Sequence, residues 1–272
     1  MCESKTTKNN ILPDYENPPV VEVALGIQFE PILRLNPIEL GSLWEIWREE
    51  LPNYREQPPL PHILESQLSI PATIQIGIGS PLRRYWFLND AEDQLVQLQN
   101  DKLIVNWRKS SNELQYPRYW TIKSNLERKF KEFSEFLEDR ALGVIKIDQI
   151  EATYVNLIET NGNSIGKLEN IFRLWNSVDD HHLGAPETVQ ANIQFFIDKE
   201  ISGLTKMIVS LTPAPGLDAE TKILMTIQVL GTPKTSEFSS ALDSLDAAHI
   251  HIVTSFDELT VPSMHEKWRK IV

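Results

Sequence analysis

A single cysteine, Cys2, occurs in 272 residues, so the chain has no intramolecular disulfide, no cysteine-rich zinc site and no cysteine-held iron–sulfur cluster. Long apolar runs are missing too. None approaches the ~18 residues of a membrane-spanning helix, and Met1 to Asn10 lacks the apolar centre of a signal peptide, so the expected location is cytoplasmic, without a membrane partner. Positive charge is scarce: 26 Lys and Arg face 38 Asp and Glu, a formal charge of −12, which argues against nucleic acid as a bulk-charge partner. Glycines form no phosphate cradle. No Gly-x-x-x-x-Gly-Lys loop occurs, and Gly77-Ile78-Gly79 runs into Pro81 and further strand-like sequence instead of a helix. A Gly-x-Ser-x-Gly nucleophile elbow is absent as well. Asp179-Asp180-His181-His182 reads as a solvated turn, and His265-Glu266 lacks the second histidine four residues on that a zinc helix needs. Neither a metal nor a cofactor is expected.

What the chain does have is ordinary globular composition, 41% hydrophobic and 24% charged, enough apolar material for a packed core. Residues 1–16 are polar and aperiodic and are expected to form a disordered leader. Val20 to Glu30 is rich in β-branched residues and stops at Pro31, a strand pattern. Asn36-Pro37 gives a helix cap with proline at the first turn, and Leu40, Leu43, Trp44, Trp47 and Leu51 follow at helical spacing. The proline-rich stretch Pro52 to Pro71 reads as an ordered loop. Strands are then expected at Thr73–Ile78, Arg84–Leu88, Leu95–Gln99 and Lys102–Arg108, the last two joined by an Asn100-Asp101 turn. Pro117 to Leu142 has a 3.6-residue period with Trp120, Phe130, Phe133, Phe136 and Leu137 on one stripe, ended by Gly143.

The second half repeats the order. A strand is expected over Ile145–Glu159, a helix over Leu168–Trp175, strands over Val189–Ile197, Lys206–Thr212 and Lys222–Leu230, and a helix over Phe238–Leu259 with Leu242, Leu245, His249, Val253 and Phe256 in register. The expected class is α+β: two similar halves, 17–143 and 144–272, each of strand, helix, antiparallel strands and long helix, with one continuous curved antiparallel sheet as the integrated form.

Polar residues inside strands need a reason, because a half-buried strand alternates. Gln97 and Gln99 share a face of their strand, Asn106 and Arg108 share a face of the next, and Tyr154 and Asn156 share a face beside Glu151. Either these form a structural hydrogen-bond network, or they line a groove for a polar ligand or a peptide. Arg84, Arg108 and Arg118 form a basic group that could hold a carboxylate or phosphate. The candidate binding residues are therefore Arg84, Gln97, Gln99, Asn106, Arg108, Arg118, Glu151, Tyr154 and Asn156, expected to define one surface; no catalytic residue stands out.

The runs Pro18-Pro19-Val20-Val21-Glu22-Val23, Gly26-Ile27-Gln28-Phe29-Glu30-Pro31, Gln97-Leu98-Gln99-Asn100-Asp101, Asn106-Trp107-Arg108, Tyr116-Pro117-Arg118-Tyr119 and Glu151-Ala152-Thr153-Tyr154-Val155-Asn156, in this order, resemble a sporadically distributed, uncharacterised bacterial family of about this length. The resemblance covers nearly the whole chain past the leader. It implies a stand-alone bacterial cytosolic protein of patchy occurrence, as for genes on mobile or defence elements, and implies no set of catalytic residues.

The leading functional expectation is a non-catalytic protein-binding module: an adaptor, a regulatory subunit or an antitoxin-like inhibitor whose acidity steers it onto a basic effector. The alternative is a sensor or enzyme for a small anionic or nucleotide-like ligand held in a sheet groove. A homo-oligomer is compatible with either.

Overall fold

The computed structural model describes residues 12–62, 83–160, 165–176, 188–198, 203–214 and 222–272. Nine strands form one antiparallel sheet: β1 (Val20–Phe29), β2 (Asn53–Gln57), β3 (Arg84–Leu88), β4 (Gln94–Gln99), β5 (Lys102–Arg108), β6 (Ile147–Glu159), β7 (Ala191–Phe196), β8 (Leu204–Ala214) and β9 (Lys222–Gly231). Their order across the sheet is β2-β3-β4-β5-β1-β6-β9-β8-β7. The helices are α1 (Pro37–Trp47), α2 (Tyr119–Asp139), α3 (Phe238–Leu259) and the short α4 (Pro262–Lys267). The class is α+β. No described helix is long and apolar enough to cross a membrane.

The sheet is one-sided because its strands alternate. In β1, Val23, Leu25, Ile27 and Phe29 are all buried and face the helices. α2 lays Ile122, Leu126, Phe130 and Phe133 onto β5 and β1, and α3 lays Leu245, Ala248 and Ile252 onto β6, β9 and β8. Burying such side chains contributes roughly 1.5–3 kcal/mol each, so this layer is the main source of stability. Asn36 starts α1 as expected, its Oδ1 accepting from Ile38 N at 2.9 Å.

Several expectations need correction. Order begins before residue 17, inside the expected leader: Tyr15 is 5% exposed, pairs with Lys270 and donates its hydroxyl to Asp257 at 2.6 Å. Part of the proline-rich loop is a strand, since Asn53–Gln57 pairs along all of β3. Leu168–Trp175 is not an α-helix but the end of a 3-10 turn, Ile165–Asn170, after which Phe172 bridges to Thr260. Trp120 leaves the apolar stripe of α2 and is 60% exposed, while its neighbour Tyr119 is buried. Residues 1–11, the expected strand Thr73–Ile78, the remainder of the loop from residue 63 and the Asp179–His182 turn lie outside the described residues.

Candidate functional site

Register fixes which side chains share the face that no described helix covers. Reading directly across the sheet, Arg108, Glu22, Val155, Thr226, Ser210 and Asn192 form one row. Asn106, Ala24, Thr153, Gln228, Ile208 and Gln194 form the next. A third row runs Ile104, Gly26, Glu151, Leu230, Lys206 and Phe196.

Within β3, β4 and β5 this face holds a buried polar chain. Gln97 Oε1 accepts from Arg84 Nη1 at 2.7 Å and from Trp86 Nε1 at 3.0 Å. Gln97 Nε2 donates to Asn106 Oδ1 at 2.8 Å, and Asn106 Nδ2 to Glu22 Oε1 at 2.6 Å. Gln97 and Asn106 are therefore fully engaged, which is the structural-network reading of these amides. The guanidinium groups of Arg108 and Arg84 pack against the Trp86 ring at 4.7 and 5.5 Å. Arg108 Nε lies 3.1 Å from Glu22 Oε1 without pointing along a hydrogen bond, so that buried N–H, like Arg84 Nε, has no acceptor.

A second knot lies at the other end of β1 and was not legible from spacing. His62 stands between two carboxylates, Nδ1 at 2.7 Å from Asp101 Oδ2 and Nε2 at 3.0 Å from Asp148 Oδ2. Gln99 bonds both the N–H and the carbonyl of Leu60, at 3.0 Å each, and Lys102 donates to Gln28. These contacts tie residues 60–62 to the sheet. Burial pushes Lys102 below the usual lysine range, opposed by Glu151, Asp101 and Asp148. Glu151 lies across Gly26, where an added Cβ would stand 2.6 Å from Glu151 Cγ; desolvation raises its pKa, opposed by Lys102 and Arg84. Among the described residues, no three His, Cys, Asp or Glu side chains are arranged to hold a metal.

The expected single surface is split by the sheet. Arg84, Gln97, Gln99, Asn106, Arg108 and Glu151 lie on the helix-free face, whereas Tyr154 and Asn156 point to the helix side, because Tyr154 is paired with the inward-facing Val23. Arg118 is there too, at the start of α2, bonded to Asp14 Oδ1 at 2.6 Å. The three arginines therefore do not converge on one anion.

The helix-free face is uneven in exposure. Over β3 to β5 its side chains are mostly buried, while Ala24, Thr153, Val155, Ile208, Ser210, Thr226 and Gln228 are half-buried and Phe196 is 84% exposed.

No protein-family model matches the chain, and no curated relative does. Among solved structures, the TBP of Methanococcus jannaschii aligns at 14% identity over 88% of this chain and 98% of that one, with a TM-score of 0.26. That likeness is too low to bear on fold or function.

Proposed function

We propose that the chain is a non-catalytic protein-binding module, an adaptor or inhibitor, that holds its partner on the helix-free face of β6, β9, β8 and β7. One observation carries this reading: in a molecule with 24% charged residues and a net charge of −12, the half-exposed positions Ala24, Thr153, Val155, Thr226, Gln228, Ile208 and Ser210, lying between Glu22, Glu151 and Lys206, are uncharged. An uncharged, partly apolar patch bounded by charge has the composition of an interface centre. At strand spacings of ~4.8 Å and ~3.4 Å per residue it measures on the order of 250 Å² in plan, the centre of the ~800 Å² that a standard partner covers. Arg108 stacked on Trp86 flanks it at one end and Phe196 at the other, residue types that anchor interfaces. Cytoplasmic location, a defence-associated role and a basic effector as partner belong to the same reading, the last through charge steering.

The two halves are read as repeats of one unit. Outward from the central β1–β6 pair, each half places its last strand first and its earlier strands successively further out, which supports duplication.

The test is native mass spectrometry of the tagged protein purified gently from its host, alongside Arg108→Ala and Phe196→Asp. The expected result is a stoichiometric protein companion with the wild type, lost from both variants while their thermal midpoints stay within a few degrees. A bare wild-type chain, or a companion retained by both variants, overturns the proposal.

A further inference from the structure

On the opposite side of the sheet, α2 begins in an unusual way. Arg118 occupies its N-cap at φ 72° and ψ 157° without a side-chain cap, a backbone region that residues other than glycine enter only under strain. The strained turn sets Arg118 beside a half-open cavity of about 360 Å³ between the segment 12–20, the start of α2, β6 and α3. That volume lies at the lower end of the range for small-molecule sites.

The cavity's walls are aromatic. Tyr119 stacks on His249 with centroids 4.1 Å apart and planes 2° apart, and Trp120 stands at the rim with its ring largely in solvent. Tyr154 bridges the two other polar wall groups, its hydroxyl 3.4 Å from that of Tyr116 and 2.8 Å from His249 Nδ1. Burial holds His249 down at about 4, with Asp246 opposing, so the imidazole is neutral and hydrogen-bonded through Nδ1 to Tyr154.

Charges around the cavity cancel locally. Arg118 pairs with Asp14 at 2.6 Å, and Asp246, which accepts from the Tyr119 hydroxyl, pairs with Lys123 at 2.7 Å. Asn156, in the cavity lining, donates its amide to Met225 O at 3.3 Å, and no described group donates to its Oδ1. That oxygen is free to accept from a molecule in the cavity. The fourth wall is held shut by the Tyr15 hydroxyl on Asp257 and by backbone bonds from Glu16 N to Arg269 O and Asn17 N to Trp268 O, at 3.0 and 3.1 Å.

We propose that this cavity binds a small, planar, uncharged heteroaromatic molecule of one or two rings, packed against the aromatic walls and donating a ring N–H to Asn156 Oδ1. An anion is disfavoured because Arg118 is already neutralised by Asp14; a cation is disfavoured because no carboxylate in the walls lacks its own counter-charge. The site is independent of the partner surface, from which the sheet separates it.

The experiment is isothermal titration of the full chain with adenine and with indole, and with sodium benzoate as the charged counterpart. Val253→Trp fills the cavity from α3, and Trp120→Ala removes the rim without touching the core. Adenine or indole is expected to bind at one site, at least tenfold more weakly to Val253→Trp and several-fold more weakly to Trp120→Ala, with no binding of benzoate. If Val253→Trp does not fold, Trp120→Ala carries the comparison. Absence of binding by both neutral probes up to their solubility, affinities unchanged by the variants, or tighter binding of benzoate each overturns the assignment.

Discussion

His249 occupies the apolar register of α3, as the spacing with Leu242, Leu245, Val253 and Phe256 predicts, and its surroundings have a consequence for stability against pH. Tyr154, Tyr119, Trp120 and Asp246 face it, and only Asp246 favours the charged form. Its folded pKa is about 4 against 6.5 when unperturbed. As pH falls through 6.5 the unfolded chain takes up a proton that the folded chain refuses, so protons favour unfolding, and this loss continues until about pH 4. The contribution amounts to about 2–3 kcal/mol between neutral pH and 4.5. Urea unfolding at pH 7 and pH 4.5 checks it: the wild type should lose more stability on acidification than His249→Phe, which keeps the stack and cannot titrate. Equal losses would show that His249 does not titrate in this window. Tyr119 and Trp120 illustrate the resolution of such readings. Both fit the edge of the α2 stripe, and only the hydrogen bond from Tyr119 to Asp246 at 2.7 Å, a partner 127 residues away, selects which ring turns inward.

At the scale of elements, α2 ends differently from the expected glycine stop. Ala141, not Gly143, takes the left-handed conformation, at φ 50°, and the capping bonds run from Ala141 N to Glu138 O at 3.0 Å and from Leu142 N to Leu137 O at 2.9 Å. This is the Schellman pattern, which glycine fits best. Ala141→Gly is therefore expected to stabilise the protein by about 1 kcal/mol, since the left-handed backbone costs an L residue roughly 1–2 kcal/mol. A higher urea midpoint with an unchanged slope is the expected result; a lower midpoint would contradict it. Elements with strong periodicity were legible: α3 runs over Phe238–Leu259, and β3 and β5 over Arg84–Leu88 and Lys102–Arg108, with the expected bounds. β2 was not. Its residues, Asn-Tyr-Arg-Glu-Gln, are mostly exposed and carry no alternation to read; backbone pairing to β3 makes the strand. The charged Arg55 and Glu56 also suit a strand at the end of the sheet order, because they discourage further pairing.

For the molecule as a whole, the decisive fact is how β1 and β6 meet. Parity within a strand was readable, so Tyr154 and Asn156 were rightly set on one face of theirs. Whether that face matched the face of Gln97 and Arg108 depended on the register of three separate pairings, β4–β5, β5–β1 and β1–β6, which local pattern does not encode. The register divides the expected site into a helix-free surface and a half-open cavity on the helix side, each with its own chemistry. The central claim is that the helix-free surface holds a protein partner, and hydroxyl-radical footprinting of the companion complex tests it most directly. Trp86, Phe196 and Leu224, which is half-buried in β9 on the same face as Thr226, should lose reactivity in the complex, while Trp120 and Ile250, both exposed on the helix side, should keep theirs. Protection of Trp120 and Ile250 with Trp86, Leu224 and Phe196 unchanged would place the partner on the wrong side of the sheet and contradict the account.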